Sequence, residues 1–262
     1  MPIRFALLVS GTTFEQWEID CVDHLLAIPG VELALLIVDA RPPVKPNPWY
    51  RKWRALRHFN TLGWELYRQR FVQTAIPLRQ RFDLAPRFQN VPRINAQVIR
   101  KGKFSEYFSP EDVARIRALD LAFMIRFGFN ILRGEVLSSA RYGIWSFHHD
   151  DLEKYRGSPP CFWEIYFGDP QTGVTLQRLT DRLDSGVVLR KESFPTCFES
   201  YPRNLERALQ FGVPWPADLC RGILRGETAC FETPASSSGA PIFRSPTNAQ
   251  LLRLLWRSRN TS

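Results

Sequence analysis

The sequence contains no uninterrupted apolar run of about twenty residues, and its five cysteines form no C-x-x-C pair. The first residues, MPIRFALLVSGTTFEQW, turn polar too early for the hydrophobic region of a secretory signal. We therefore expect a cytoplasmic protein with no transmembrane segment. The odd number and wide spacing of the cysteines argue against a disulfide framework and against a zinc site, and we expect no metal.

Acidic residues are scarce in one segment of a chain whose net charge is +9. Positions 41–103 hold fifteen Lys and Arg residues interleaved with aromatics, against only Glu65 and Asp83. Such a segment suits a nucleic-acid or anionic-membrane surface, a site for substrate phosphates, or a helical insertion that packs its aromatics and exposes its arginines. We favour an insertion over about 41–92, expect no nucleic-acid partner, and leave open a contact between subunits of a homo-oligomer.

Unbroken apolar runs alternate with helical patterns from residue 3 to about residue 190. The runs at 3–9 and 31–38 flank a helical pattern, which is typical of parallel strands buried on both faces. This predicts an α/β domain over 1–195, with a mostly parallel sheet covered by helices on both faces. Residues 196–262, rich in proline, are expected to form an irregular extension packed on the same domain and ending in one helix.

The stretch WSFHHDD at 145–151 contains two of the four histidines and follows a predicted strand directly. In open α/β sheets, ligands bind beyond the carboxyl ends of the strands. A second acidic cluster, at 181–184, follows the next predicted strand, and we expect it at the same end. An imidazole and a carboxylate placed there can act as general acid and base. Four adjacent side chains cannot converge on one ion, so a metal site is not favoured.

The order and spacing of three segments resemble the folate-dependent formyltransferase family. That family, which includes methionyl-tRNA formyltransferase, glycinamide ribonucleotide transformylase and amino-sugar enzymes, carries N-x-H, S-L-L-P and R-G, then T-G-V-T and L-D-T-G. The matching segments are His148…Leu152…Tyr155-Arg156-Gly157…Pro160, Gly168-Asp169…Thr172-Gly173-Val174-Thr175-Leu176, and Leu183-Asp184-Ser185-Gly186.

The resemblance implies a Rossmann-like domain that transfers the formyl group of formyl-tetrahydrofolate to an amine, without a metal. The family's catalytic Asn, His and Asp correspond to Ser146, His148 and Asp184. Ser146 departs from the family, whose asparagine amide helps to hold the developing oxyanion. Asn130 is one alternative source of that amide.

The resemblance also implies where the two substrates bind. The pterin is expected along the turn after one strand and the loop after another: Ile125, Arg126, Phe127, Gly128 and Phe129, with Leu179, Asp181 and Leu183. The acceptor amine is expected near Ser10, Gly11, Asp150 and Arg156. Plainer interpretations stay open: an ordinary turn at Ser10-Gly11, a solvated acidic loop at Asp150, and an Arg156 paired with Asp150 or Glu153.

The acceptor that we favour is an amino sugar, with nucleotide-linked amino sugars among the candidates. No pattern of a separate C-terminal β-barrel and no glycine-rich phosphate loop is evident, which disfavours tRNA and the purine precursor as acceptors. The alternatives are a formyltransferase-like protein that only binds or assembles with partners, and a related one-carbon reaction such as hydrolysis.

Overall fold

The computed structural model describes residues 2–41, 59–102, 104–181, 186–233 and 239–259. Its strands are β1 (Ile3–Val9), β2 (Thr13–Glu15), β3 (Val31–Asp39), β4 (Arg81–Asp83), β5 (Arg93–Ala96), β6 (Ile99–Lys101), β7 (Ser105–Tyr107), β8 (Phe123–Arg126), β9 (Ile131–Arg133), β10 (Ile144–His148), β11 (Arg156–Gly157), β12 (Gln171–Arg178), β13 (Val187–Pro195) and β14 (Ile242–Phe243). Its α-helices are α1 (Gln16–Leu26), α2 (Leu62–Tyr67), α3 (Pro110–Arg117), α4 (Trp163–Phe167), α5 (Tyr201–Gly212), α6 (Trp215–Leu224) and α7 (Asn248–Arg259).

Seven strands form the central sheet in the order β13-β12-β10-β8-β1-β3-β5. The five strands from β10 to β5 are mutually parallel, whereas β12 is antiparallel to β10 and β13 is antiparallel to β12. The predicted α/β architecture with a mostly parallel sheet is confirmed. The carboxyl ends of β1, β8 and β10 therefore meet at one edge of the sheet.

The strands are continuous apolar runs because both faces of the sheet are covered. On one face Phe5, Phe123 and Trp145 stack with successive ring centroids 5.5 and 4.0 Å apart. On the other face Leu8 and Met124 join a second buried cluster that includes residues of α3. Adjacent residues of one strand thus belong to different cores, as the two-residue period of a strand requires.

The start of α3 follows from its sequence. Ser109 accepts a hydrogen bond from the Asp112 backbone N at 3.1 Å, and Pro110 occupies the first helical position, where a missing N–H is harmless. A short 3₁₀ turn, Gly134–Ser138, follows β9. Within the helical insertion expected over about 41–92, residues 42–58 lie outside the described residues, and the described part contains α2, which continues into a π-helical turn, Arg68–Gln73.

The prediction of an irregular tail with a single helix is wrong. Helices α5 and α6 precede the final helix, and their buried residues belong to the same core cluster as β1 and β8. The prolines that suggested irregular structure start helices: Pro202 and Pro216 lie in the first turns of α5 and α6. None of the helices in the described part of the chain is long and apolar enough to cross a membrane.

Candidate functional site

Strands β8 and β10 bring Arg126 against Ser146. Parallel pairing of Ile125 with Trp145 sets the next residue of each strand side by side. Arg126 Nε and Nη2 donate to Ser146 Oγ at 3.1 and 2.8 Å, and Nη1 donates to the carbonyls of Phe129 and Asn130 at 3.3 and 2.9 Å. Ser146 is 1% exposed, and burial lowers the pKa of Arg126 below the usual arginine value. The guanidinium is therefore fixed at the carboxyl end of β8.

His148 lies two residues after Ser146, on the same face of β10. Its side chain is 17% exposed, and its Nδ1 lies 3.5 Å from Asp150 Oδ2. The imidazole and the Arg126 guanidinium line one cavity of about 100 Å³, together with Asn130, Gln177, Leu179 and Gly186. Ligand pockets usually exceed about 300 Å³, so this cavity suits one end of a ligand.

Two of the predicted site residues, Leu183 and Asp184, lie outside the described residues. Gly186, which follows them, lines the cavity beside His148. The expectation that this loop follows a strand ending beside His148 is wrong, because β12 runs antiparallel to β10: His148 pairs with Thr175, near the start of β12, and Leu179 N donates to Ile144 O at 2.8 Å. Of the described residues that flank positions 182–185, Thr180 and Gly186 line the cavity.

Asp150 is buried, so the interpretation of a solvated acidic loop is wrong at this residue. Its Oδ1 accepts a hydrogen bond from the Cys161 backbone N at 2.6 Å, and burial, followed by the charge of Glu164, raises its pKa well above the usual value. Asp151 is neutralised by Lys191 at 2.7 Å. The loop is thus less anionic than its sequence indicates, and the Asp150 carboxyl lies behind the imidazole.

The buried pair of Asp150 and Glu164 can be tested by replacing Glu164. Burial raises its pKa from 4.5 to about 8. Because the folded protein then holds the proton more tightly than the unfolded chain does, its contribution to stability is complete below about pH 4.5 and is lost as pH rises through about 8. We expect Glu164→Gln to flatten the fall in the free energy of unfolding between these pH values, as measured by urea titration. The exposed Glu135→Gln serves as control, and an equal slope in both variants would contradict the assignment.

His149 faces away from the cavity that Arg126 and His148 line, and its ring packs against other aromatic rings. Its ring stacks on Phe147 and meets Trp17 edge-on, with centroid separations of 5.6 and 5.3 Å. Burial lowers its pKa to about 3, so the imidazole is neutral at physiological pH. The two adjacent histidines therefore have different environments, because successive residues of an extended segment face opposite sides.

The segment Thr172-Gly173-Val174-Thr175 holds the loop that follows His148. Thr175 Oγ1 donates to the Asp150 carbonyl at 3.2 Å. A Cβ atom at Gly173 would lie 2.7 Å from the Asp151 backbone N, so only glycine permits this approach. This motif acts by fixing the backbone around residues 148–151.

Of the residues predicted for the turn after β8, only Arg126 lines the cavity beside His148. Ile125 is completely buried in the opposite core cluster, which contradicts a contact with a ligand. Phe127 packs edge-on against Trp17 and lines a different cavity, whereas Phe129 packs on Phe108. Gly128 N donates to Leu8 O at 2.8 Å and joins the turn to β1. The prediction treated consecutive residues alike, although their side chains alternate between faces.

Three further predicted residues have structural contacts. Asp181 accepts a hydrogen bond from Gly134 N at 2.9 Å, which joins two loops. Arg156 pairs in β11 with Ile242 of β14, and its Nη1 donates to Ala240 O at 3.2 Å, so it contacts the tail. The amide of Asn130 donates to Glu106 at 2.6 Å, so it is not a free replacement for the missing asparagine amide.

A second cavity, of about 430 Å³, lies at the end of β1 and contains both Ser10 and Gly11. Arg79 and Glu15 form its charged wall: Nε and Nη2 of Arg79 each donate a hydrogen bond to the Glu15 carboxylate at 3.0 Å. Trp17 and Phe127 supply the apolar wall. Arg79 and Glu15 are 64 residues apart, so no local motif could have predicted their pairing.

Within the described ranges, no group of three or more His, Cys, Asp or Glu side chains could hold a metal ion. The arrangement at the strand ends instead combines a fixed cation, a partly exposed imidazole and a buried carboxyl. Such a set can polarise a carbonyl group and move a proton.

Known proteins resemble the chain both in sequence and in fold. Residues 86–212 match the formyl transferase family. The methionyl-tRNA formyltransferase of Citrifermentans bemidjiense is 36% identical over 121 residues, which are 45% of this chain and 38% of that protein. The chain thus spans less than two fifths of this curated relative.

Two solved structures share the fold at low sequence identity. An N-formyltransferase from Helicobacter canadensis, solved with folinic acid and dTDP-3-aminofucose, has a TM-score of 0.56 and 12% identity, covering 98% of this chain and 80% of that one. Glycinamide ribonucleotide transformylase 1 from Geobacillus kaustophilus has a TM-score of 0.52 and 19% identity, covering 86% and 100%. The matched segment, 86–212, contains β8, β10 and the loop after His148. The chain thus resembles the formyl transferase family in sequence over residues 86–212 and shares the fold of these two solved structures.

Proposed function

We propose that this protein transfers the formyl group of formyl-tetrahydrofolate to the amine of a small molecule. The observation that carries the proposal is the common cavity of Arg126 and His148, built by strands within the family-matched segment. Ser146, His148 and Asp184 take the positions of the family's asparagine, histidine and aspartate.

The cavity beside His148 suits the reactive end of the folate. Ile131, Leu132 and Leu179 give it apolar walls, and Arg126, Gln177 and His148 give it hydrogen-bonding groups. Apolar walls with a few placed polar groups are typical of ligand sites. The remainder of the folate extends out of this cavity, past Gly186.

In the proposed reaction, the uncharged acceptor nitrogen attacks the formyl carbon. A new C–N bond forms, and the carbonyl electron pair moves to oxygen as an oxyanion, which protonated His148 stabilises. Asp184 takes the amine proton directly or through water. When the oxyanion restores the C=O bond, the bond to the folate nitrogen breaks, and that nitrogen receives a proton. The products are a formamide and tetrahydrofolate.

We propose an amino sugar, in nucleotide-linked form, as the acceptor. The cavity at Ser10 and Gly11 has a volume of about 430 Å³, within the usual range for small-molecule sites. Arg81, whose side chain is 66% exposed, suits a phosphate-bearing ligand, while Trp17 suits an apolar ring face. The bound nucleotide sugar of the Helicobacter canadensis protein is consistent with this choice.

The experiment starts from binding and proceeds to turnover. Purified protein is titrated with tetrahydrofolate, then incubated with formyl-tetrahydrofolate and a panel containing amino sugars, nucleotide-linked amino sugars and glycinamide ribonucleotide. We expect folate binding and a mass gain of one formyl group on a nucleotide-linked amino sugar. Absence of folate binding would overturn the proposed donor. Transfer to another amine alone would overturn the proposed acceptor.

A second function, binding without transfer, rests on Ser146. The family uses an amide at this position, and a serine hydroxyl is shorter and offers one donor. Folate binding without a formylated product from any amine or from water would favour this second function.

A further inference from the structure

We propose that the Arg126 guanidinium stabilises the oxyanion on the formyl group, in place of the amide that Ser146 lacks. The inference rests on the proposed formyl transfer. It adds to that function a residue that contacts the reacting carbonyl oxygen, and it explains how a chain with serine at position 146 can retain catalysis.

The position of the guanidinium supports this role. Arg126 and His148 line the same cavity. Nη2 and Nε of Arg126 donate hydrogen bonds to Ser146 Oγ at 2.8 and 3.1 Å. The cation therefore lies at the residue that corresponds to the family's amide. A carbonyl oxygen placed between Arg126 and His148 would meet two positively polarised N–H groups.

The hydrogen bonds of Arg126 fix the group and leave one donor. An arginine has five N–H donors, and four of them reach acceptors among the described residues: Ser146 Oγ twice, and the Phe129 and Asn130 carbonyls. The remaining N–H belongs to Nη2. A guanidinium fixed in advance stabilises developing charge without the cost of reorganisation during the reaction.

The charge of Arg126 is not neutralised by any carboxylate of the described residues within ion-pair distance. Glu106, the acid whose charge acts on it, accepts hydrogen bonds from Asn130 and Arg41 instead. A partly buried cation without a close counter-ion is costly to folding, and such costs are concentrated at functional sites. An oxyanion formed in the cavity would supply the missing negative charge at the moment of reaction.

Ser146 is then a positioning residue. Its hydroxyl oxygen accepts hydrogen bonds from Nε and Nη2 of Arg126, and Ser146 is itself buried. An asparagine at position 146 would extend into the space of the guanidinium, so serine and arginine fit together as a pair. Ser146→Asn alone is therefore expected to lower activity, whereas Ser146→Asn combined with Arg126→Ala gives the amide room.

The test compares five variants in the formyl-transfer assay: Arg126→Met, Arg126→Ala, Arg126→Lys, Ser146→Ala and the double variant. We expect Arg126→Met to lower kcat about 10²–10³-fold, the usual loss for one oxyanion donor, with the folate Kd changed less than threefold. Ser146→Ala should cost less than about tenfold, since the guanidinium keeps its two carbonyl contacts. Arg126→Lys should retain part of the activity because it keeps the charge.

Two rescue measurements separate catalysis from loop structure. Guanidinium ion, added at concentrations that leave the thermal midpoint unchanged, should restore part of the kcat of Arg126→Ala but not that of His148→Ala. The double variant should exceed Arg126→Ala in kcat. The exposed Arg141→Met, whose ion pair with Asp120 is remote from the cavity, should behave as the unmodified protein.

Several results would overturn the proposal. Formyl transfer at an unchanged rate in Arg126→Met would overturn the proposed role of Arg126 but leave the proposed function standing. A fall in kcat that tracks a fall in folate affinity and thermal midpoint, without guanidinium rescue, would assign Arg126 to loop structure. An unmodified protein without folate binding or transfer would overturn the proposed function and this inference together.

Discussion

Replacing His148 with alanine is expected to lower kcat for formyl transfer about 10²–10⁴-fold, the range for loss of a general acid or base. The imidazole is the partly exposed titratable ring at the carboxyl end of β10, and it lines the cavity with Arg126. In the proposed reaction, its loss removes both a donor to the oxyanion and a group that can carry a proton. The folate Kd should change less, because the walls of the cavity remain.

The matched control for this prediction is His24→Ala. His24 is exposed on α1 and is far in sequence from the motif. The two variants should be compared for kcat, KM and thermal midpoint in one buffer. Equal kcat values in His148→Ala and His24→Ala would remove His148 from the reaction and contradict the site assignment.

Trp145→Ala is expected to lower the free energy of unfolding by about 3–5 kcal/mol, the usual cost of truncating a large buried aromatic. Trp145 is fully buried in the middle of the sheet and stacks on Phe123 at 4.0 Å and near Phe231 at 5.7 Å. Its Nε1 also donates to the Tyr142 carbonyl at 3.0 Å. The variant therefore loses apolar contacts, a hydrogen bond and part of the support of β10.

Trp256→Ala is the control, since Trp256 on α7 is 67% exposed. We expect it to change stability by no more than about 0.5 kcal/mol, as is usual for surface substitutions. Urea denaturation followed by circular dichroism gives both values, with the midpoints compared at similar slopes. A loss below 1 kcal/mol for Trp145→Ala would contradict the assignment of this ring to the core of the fold.

The sequence predicted the elements whose signals are local. The runs at β1 and β3 are apolar without interruption, and Ser109-Pro110 carries a helix start that needs no tertiary information. These elements appear where the pattern placed them. The order and spacing of the family motifs also single out His148, whose catalytic role stays a prediction.

The errors arose where tertiary contacts decide. The direction of β12 relative to β10 depends on how the sheet closes, which no local pattern records. The burial of Asp150 depends on its contact with the Cys161 backbone, eleven residues away. The Arg126–Ser146 contact depends on the register of two parallel strands, which no local pattern in the sequence records.

The pairing of Arg156 and Gly157 with Ile242 and Phe243 links the motif to a segment beyond residue 212, where the family match ends. A Cβ atom at Gly157 would lie 2.1 Å from the Phe243 carbonyl oxygen, so the two backbones are in direct contact. The loop after His148 is thus held partly by a segment that lies outside the family match. Substitutions around Phe243 can therefore change the backbone of this loop while every residue of the motif is kept.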